Sequence, residues 1–65
     1  MFSYFNVNVS QMDTLTNTAP METETYTVHA QSESEAKRKA QAVAGARNYR
    51  VIRFNWVRTA KSYAG

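Results

Sequence analysis

Apolar and polar residues alternate at three places along the chain, and between the second and third they recur at helical spacing. Phe5, Val7 and Val9 alternate with Asn6, Asn8 and Ser10, the period of a strand with one buried face. Phe2 and Tyr4 fall in the opposite phase, so the first strand, 2–10, is apolar on both faces at its start. In 22–30, ETETYTVHA, Tyr26, Val28 and Ala30 share the expected inward phase, opposite Thr23, Thr25, Thr27 and His29. Threonine, valine and tyrosine favour the pleated state. The third strand, 49–58, is the most hydrophobic. Its two phases are Ile52, Phe54 and Trp56, expected to face the helix, and Tyr49, Val51, Arg53, Asn55 and Val57.

The helix is expected over 32–45, SESEAKRKAQAVAG. Ser32 followed three residues later by Glu35 fits a capping box, in which the Ser hydroxyl accepts from the first turn and Glu35 reaches back to the Ser32 N–H. Glu33 and Glu35 sit at the positive end of the dipole. Glu33–Lys37 and Glu35–Lys39 are i,i+4 pairs in the favoured orientation. Ala36, Ala40, Val43 and Ala44 form one stripe. Gly45 is expected to end the helix in the left-handed conformation. A stripe of such small residues must lie close against something flat, which a sheet supplies. The bulk then comes from the third strand.

The order strand, strand, helix, strand predicts a single α+β domain over 1–65. A helix joining the second and third strands makes them parallel. The hairpin makes the first antiparallel to the second. The most economical sheet is 2-1-3, an antiparallel or mixed sheet of three strands, with four or five as the alternative if other segments add short pairing. One helix covers one face and leaves the other open. The segment 11–20, polar and ending at Pro20, reads as a loop, and 60–65 as a flexible tail.

Length and composition narrow the function. A chain of 65 residues buries only about 60% of its unfolded surface. It has no cysteine, so neither a disulfide nor a thiolate metal site stabilises it, and oligomerisation is the remaining common aid. No run reaches transmembrane length and no signal peptide is recognisable, so no membrane partner and a cytoplasmic location are expected. Net charge is +3. The charge is divided: Asp13, Glu22, Glu24, Glu33 and Glu35 all precede Ala36, and all eight Lys and Arg follow it.

No set of residues for catalysis is recognisable. His29 is the single histidine, and the two glycines, Gly45 and Gly65, cannot build a phosphate loop. No nucleophile, base and oxyanion donor can be assembled, so no enzyme, cofactor or metal is expected. The basic residues are the candidates for binding. Lys37, Arg38 and Lys39 fan over the outer side of the helix, and Arg47, Arg50, Arg53, Arg58 and Lys61 follow. Arginine suits bidentate recognition of carboxylate or phosphate. Tyr49 shares a phase with Arg53, so an aromatic and basic sheet face is expected. The partner-binding set is Lys37, Arg38, Arg47, Tyr49, Arg50 and Arg53. Arg38, with no acid four residues before it, is expected to be the least engaged.

The segment YTVHAQSESEAKRKA followed by YRVIRFNWV resembles small anti-CRISPR proteins of the type I-F inhibitor group. The matching positions are Ser32, Ser34, Ala36, Lys37 and Arg38, then Val51, Ile52, Arg53 and Phe54. The resemblance covers about half the chain. This sequence departs from the group in a longer loop after the first strand and a shorter C-terminus. The resemblance implies a phage or mobile-element protein, in a bacterial host, that binds a type I Cascade-type surveillance complex and blocks target DNA. Lys37 and Arg38 match the Lys-Arg pair implicated in contacting that complex. A basic inhibitor is not a simple DNA mimic, because mimics are acidic. It must use a protein contact, the guide RNA backbone, or both. Two other readings stand beside it: a small basic nucleic-acid-binding protein, and a homodimer formed through the open sheet face.

Overall fold

The computed structural model describes residues 1–15 and 20–60. The elements are β1 (Ser3–Asp13), β2 (Glu22–Ala30), α1 (Glu33–Ala46) and β3 (Tyr49–Ala60). The sheet order is β2-β1-β3, with both outer strands antiparallel to β1. This is the expected ββαβ arrangement, with β2 and β3 running the same way on either side of the strand that separates them. Among the described residues the sheet has three strands.

The first two strands carry their apolar phases as the alternation predicts. Phe5, Val7 and Val9 face Tyr26 and Val28, and with Ala30 they form the sheet's share of the core. The helix adds Ala36, Ala40 and Ala44, none of which retains any exposed area. Val43, expected on the same stripe, is half-exposed. Only the i,i+4 line lies against the sheet, and Val43 sits one step off it.

The third strand departs from simple alternation. Its pairing with β1 shifts between Asn8 and Val9 and again between Ser10 and Gln11. Asn55 and Ile52 are the extra residues, because Trp56 pairs with Asn8, Phe54 with Val9, Arg53 with Ser10 and Val51 with Gln11. Each inserted residue reverses the alternation that follows it. The helix side of β3 is therefore Tyr49, Val51, Phe54 and Val57, all packed against the core. Of the three residues expected there, only Phe54 is. Ile52 is half-exposed at its bulge, and Trp56 lies on the other face, in register with Asn8. Tyr49, Val51 and Val57, expected in the phase of Arg53, pack against the core instead.

β1 runs on through Gln11, Met12 and Asp13, residues expected to begin the loop. Gln11 is fully buried and pairs with both Glu22 and Val51. The strand's end is tied down because the Thr14 N–H and hydroxyl both donate to the Asn48 carbonyl, at 2.9 and 2.8 Å. Ala60, expected in the tail, is strand and pairs with Tyr4. Residues 16–19 of the expected loop, and 61–65 of the tail with Lys61, lie outside the described residues.

The helix begins as expected, with Ser32 Oγ accepting from Glu35 N at 3.2 Å. The reciprocal bond goes one residue further back: Glu35 Oε1 accepts from Gln31 N at 2.8 Å. That bond, followed by Lys39 and Arg38, holds the Glu35 carboxyl below its ordinary range despite partial desolvation. Gly45 does not end the helix. It continues through Ala46, and the residue with positive φ is Asn48, at 66°. Asparagine tolerates that conformation better than other side-chain-bearing residues. Placing it at Asn48 lets Arg47 remain near-helical as the cap, donating its N–H to Ala44 O at 3.0 Å.

Candidate functional site

Among the described residues the helix covers one sheet face and nothing packs over the other, whose residues the register defines. Tyr4, Asn6, Asn8, Ser10 and Met12 come from β1. Thr23, Thr25, Thr27 and His29 pair opposite Ser10, Asn8, Asn6 and Tyr4. Arg50, Arg53, Trp56 and Arg58 pair opposite Met12, Ser10, Asn8 and Asn6. None of the five acids is on this face. Glu22 and Glu24 pair with Gln11 and Val9, and Asp13 with Tyr49, all in the helix-side phase, while Glu33 and Glu35 are on α1. Three guanidinium groups thus share a face with no acidic side chain among the described residues.

The middle of the face is a ladder of small polar side chains. Thr27 Oγ1 donates to Asn6 Oδ1 at 2.7 Å, and Asn8 Nδ2 donates to Thr25 Oγ1 at 2.9 Å. Asn55 Nδ2, at the first bulge, donates to Asn8 Oδ1 at 2.9 Å and to Ser10 Oγ at 3.1 Å. Arg53 Nε donates to Asn55 Oδ1 at 3.1 Å. The bulge therefore does more than shift the register: it turns a polar side chain onto the open face, where it orients Arg53. Aromatic groups flank the ladder. The Arg58 guanidinium lies 4.4 Å from the Trp56 ring centroid. Tyr4 and His29 stack with centroids 4.7 Å apart and an interplanar angle of 27°, and Phe2 tilts against His29 at 5.1 Å.

The residues singled out from the sequence fall in three places. Arg50 and Arg53 belong to the open face. Lys37 and Arg38 project from the helix, on the other side of the sheet. Lys37 Nζ lies 5.8 Å from the Phe54 ring centroid, and the expected Glu33–Lys37 pair is not among the ion pairs of the described residues. Arg38 has an intrahelical partner after all, Glu35 three residues before it at 3.8 Å, although its side chain is 78% exposed. A pair that exposed contributes little. Lys39 pairs with Glu35 at 3.7 Å, as expected, and its Nζ also donates to His29 O at 2.6 Å.

Arg47 and Tyr49 form the third group, on the helix side of the sheet beside Glu24 and Tyr26. Arg47 Nη1 donates to Glu24 Oε1 at 3.1 Å and to the Tyr26 hydroxyl at 2.9 Å. Its guanidinium lies 5.6 and 5.3 Å from the Tyr26 and Tyr49 rings. The Glu24 hydrogen bond, then Tyr26, hold its pKa above the ordinary arginine value. The Glu22 carboxylate beside Tyr49 raises the phenol's pKa. The Tyr26 hydroxyl continues the chain by donating to Gln11 Oε1 at 2.7 Å, and Gln11 Nε2 donates to Glu22 Oε1 at 3.3 Å.

On β3 the open face also holds Trp56, expected on the helix side, and Arg58, one of the basic candidates but outside the partner-binding set. Their signal was present in a form that alternation alone does not decode. Both phases of 49–58 carry large apolar residues, which happens when a strand changes phase along its length. No family model, curated protein or solved structure matches this chain. No helix among the described residues is long and apolar enough to cross a membrane.

Proposed function

We propose that this chain is a binding protein that holds nucleic acid against the open face of its sheet through the phosphate backbone. The observation that carries the reading is the sorting of charge: Arg50, Arg53 and Arg58 on one face, and all five Asp and Glu side chains elsewhere. Attraction between such a face and a polyanion is long-ranged, and it falls as salt replaces the counterions that binding releases. The polar ladder adds donors at short range without adding negative charge.

If each of the three arginines neutralises one phosphate, the log–log salt slope on a single-stranded oligonucleotide is about −2. The measurement is fluorescence anisotropy of a labelled oligonucleotide across a range of salt concentrations. Combining Arg50→Ala, Arg53→Ala and Arg58→Ala is expected to flatten the slope while the circular dichroism spectrum stays unchanged. Lys37→Ala with Arg38→Ala is expected to leave it close to wild type. The reverse pattern would move binding to the helix and overturn the assignment to the sheet.

A second reading rests on the exposed Arg38 side chain and its neighbour Lys37. It is the phage inhibitor role that the resemblance implies, in which the helix contacts a type I Cascade-type complex and blocks target DNA. The two surfaces lie on opposite sides of the sheet, so they separate cleanly. Under this reading Lys37→Glu with Arg38→Glu abolishes co-purification with the complex, and the three sheet arginines are dispensable.

A further inference from the structure

We infer that the open face takes its nucleic acid as an unpaired strand, with a base stacked on the Trp56–Arg58 pair. The inference rests on the nucleic-acid reading of this face and adds which form of nucleic acid it recognises.

A surface that needed only phosphates would need only cations. This one also presents planar groups at two stations. At one, the Arg58 guanidinium lies over the Trp56 ring, 4.4 Å from its centroid, so an aromatic ring and a positively charged planar group occupy one place. Unstacked bases lie on aromatic rings and on arginine planes alike. At the other, Tyr4 and His29 stack across neighbouring strands. Trp56 is in register with Asn8, four residues along β1 from Tyr4, which separates the stations by roughly 13 Å along the strand. Between them lies the amide of Asn6. The Asn6 amide nitrogen makes no hydrogen bond among the described residues, and an amide offers the donor and acceptor groups that base edges require.

A duplex cannot use the stacking stations. Its base faces are occupied by their neighbours, and its pairing edges by the other strand. It would meet the sheet through its phosphates and the groove edges of its bases alone. An unpaired strand presents phosphates, faces and edges together, the combination that sequence-tolerant single-strand binders use.

Trp56 is the single tryptophan of the chain, so its fluorescence reports on the proposed contact directly. Three probes separate the outcomes: a single-stranded oligonucleotide, the same sequence as a duplex, and inorganic polyphosphate, which has charge without bases. The single strand is expected to quench Trp56 saturably and to bind about 10-fold more tightly than either of the others. Trp56→Ala, assayed by anisotropy, is expected to weaken the single strand about 10-fold and to leave polyphosphate unchanged, while Trp56→Phe retains most of the affinity. Equal affinity for all three probes, lost in the triple arginine variant, would overturn the stacked base and leave the phosphate-binding face standing. No binding to any probe would overturn both.

Discussion

Exchanging Ala40 for leucine is expected to destabilise the domain by about 1–3 kcal/mol. Ala36, Ala40 and Ala44 have no exposed area, and Ala40 is the central one of the three. The line of methyl groups sets the distance between helix and sheet, and the core is filled from the sheet side by Phe5, Val7, Val9, Tyr26 and Phe54. A leucine at the centre has no space to enter, so the helix must lift, and lifting it loosens the alanine contacts on both sides. A domain of this length holds a stability on the order of 3–10 kcal/mol, so the expected loss is a large share of the whole. Ala42→Leu is the control. Ala42 is exposed on the same helix, and the same added carbons there should change stability by about 0.5 kcal/mol or less. Urea denaturation followed by circular dichroism measures both. Equal midpoints for the two variants would mean that the helix is not held at contact distance by its alanines.

Removing a single oxygen, in Tyr26→Phe, is expected to cost about 1–3 kcal/mol. The Tyr26 hydroxyl is the joint between two halves of a polar chain: it donates to Gln11 Oε1 and accepts from Arg47. Gln11 is fully buried in the middle strand, and its acceptor has no water to turn to. Arg47 keeps Glu24, so the loss falls mainly on the amide. An unmade buried hydrogen bond is more expensive than an absent pair of partners. The double variant Tyr26→Phe with Gln11→Leu should therefore be more stable than the sum of the two single losses predicts. Denaturation midpoints of the four proteins complete the cycle. Strict additivity would show that the hydroxyl and the amide are not coupled.

Both predictions concern residues whose roles were unequally readable before the structure. The alanine spacing, the Ser32 cap and the inward phases of the first two strands follow from local rules, because each depends on neighbours a few residues away along the chain. Gln11 looked like the start of a polar loop. Its burial depends on Glu22, Tyr26 and Val51, which the sheet brings to it from 11, 15 and 40 residues away. Arg47 looked like part of a binding surface, and it is taken up by Glu24 and the two tyrosines, partners that no helical or strand spacing connects to it. Ser34 stands four residues before Arg38, but Glu35, its partner, stands three before it, a spacing the sequence itself displays.

The candidate site divides along the same line. The segregation of acids to the first half of the chain and bases to the second is visible in the sequence, as are the element order, the 2-1-3 sheet and the single covered face. Which residues occupy the open face is decided by the pairing of β3 with β1. Alternation carries a side chain's direction from one residue to the next only while each residue has one partner. At Ile52 and Asn55 two residues of β3 oppose one of β1, and each reverses every assignment beyond it. That is why Tyr49 and Val51 went under the helix, and why Trp56 came out to join Arg50, Arg53 and Arg58.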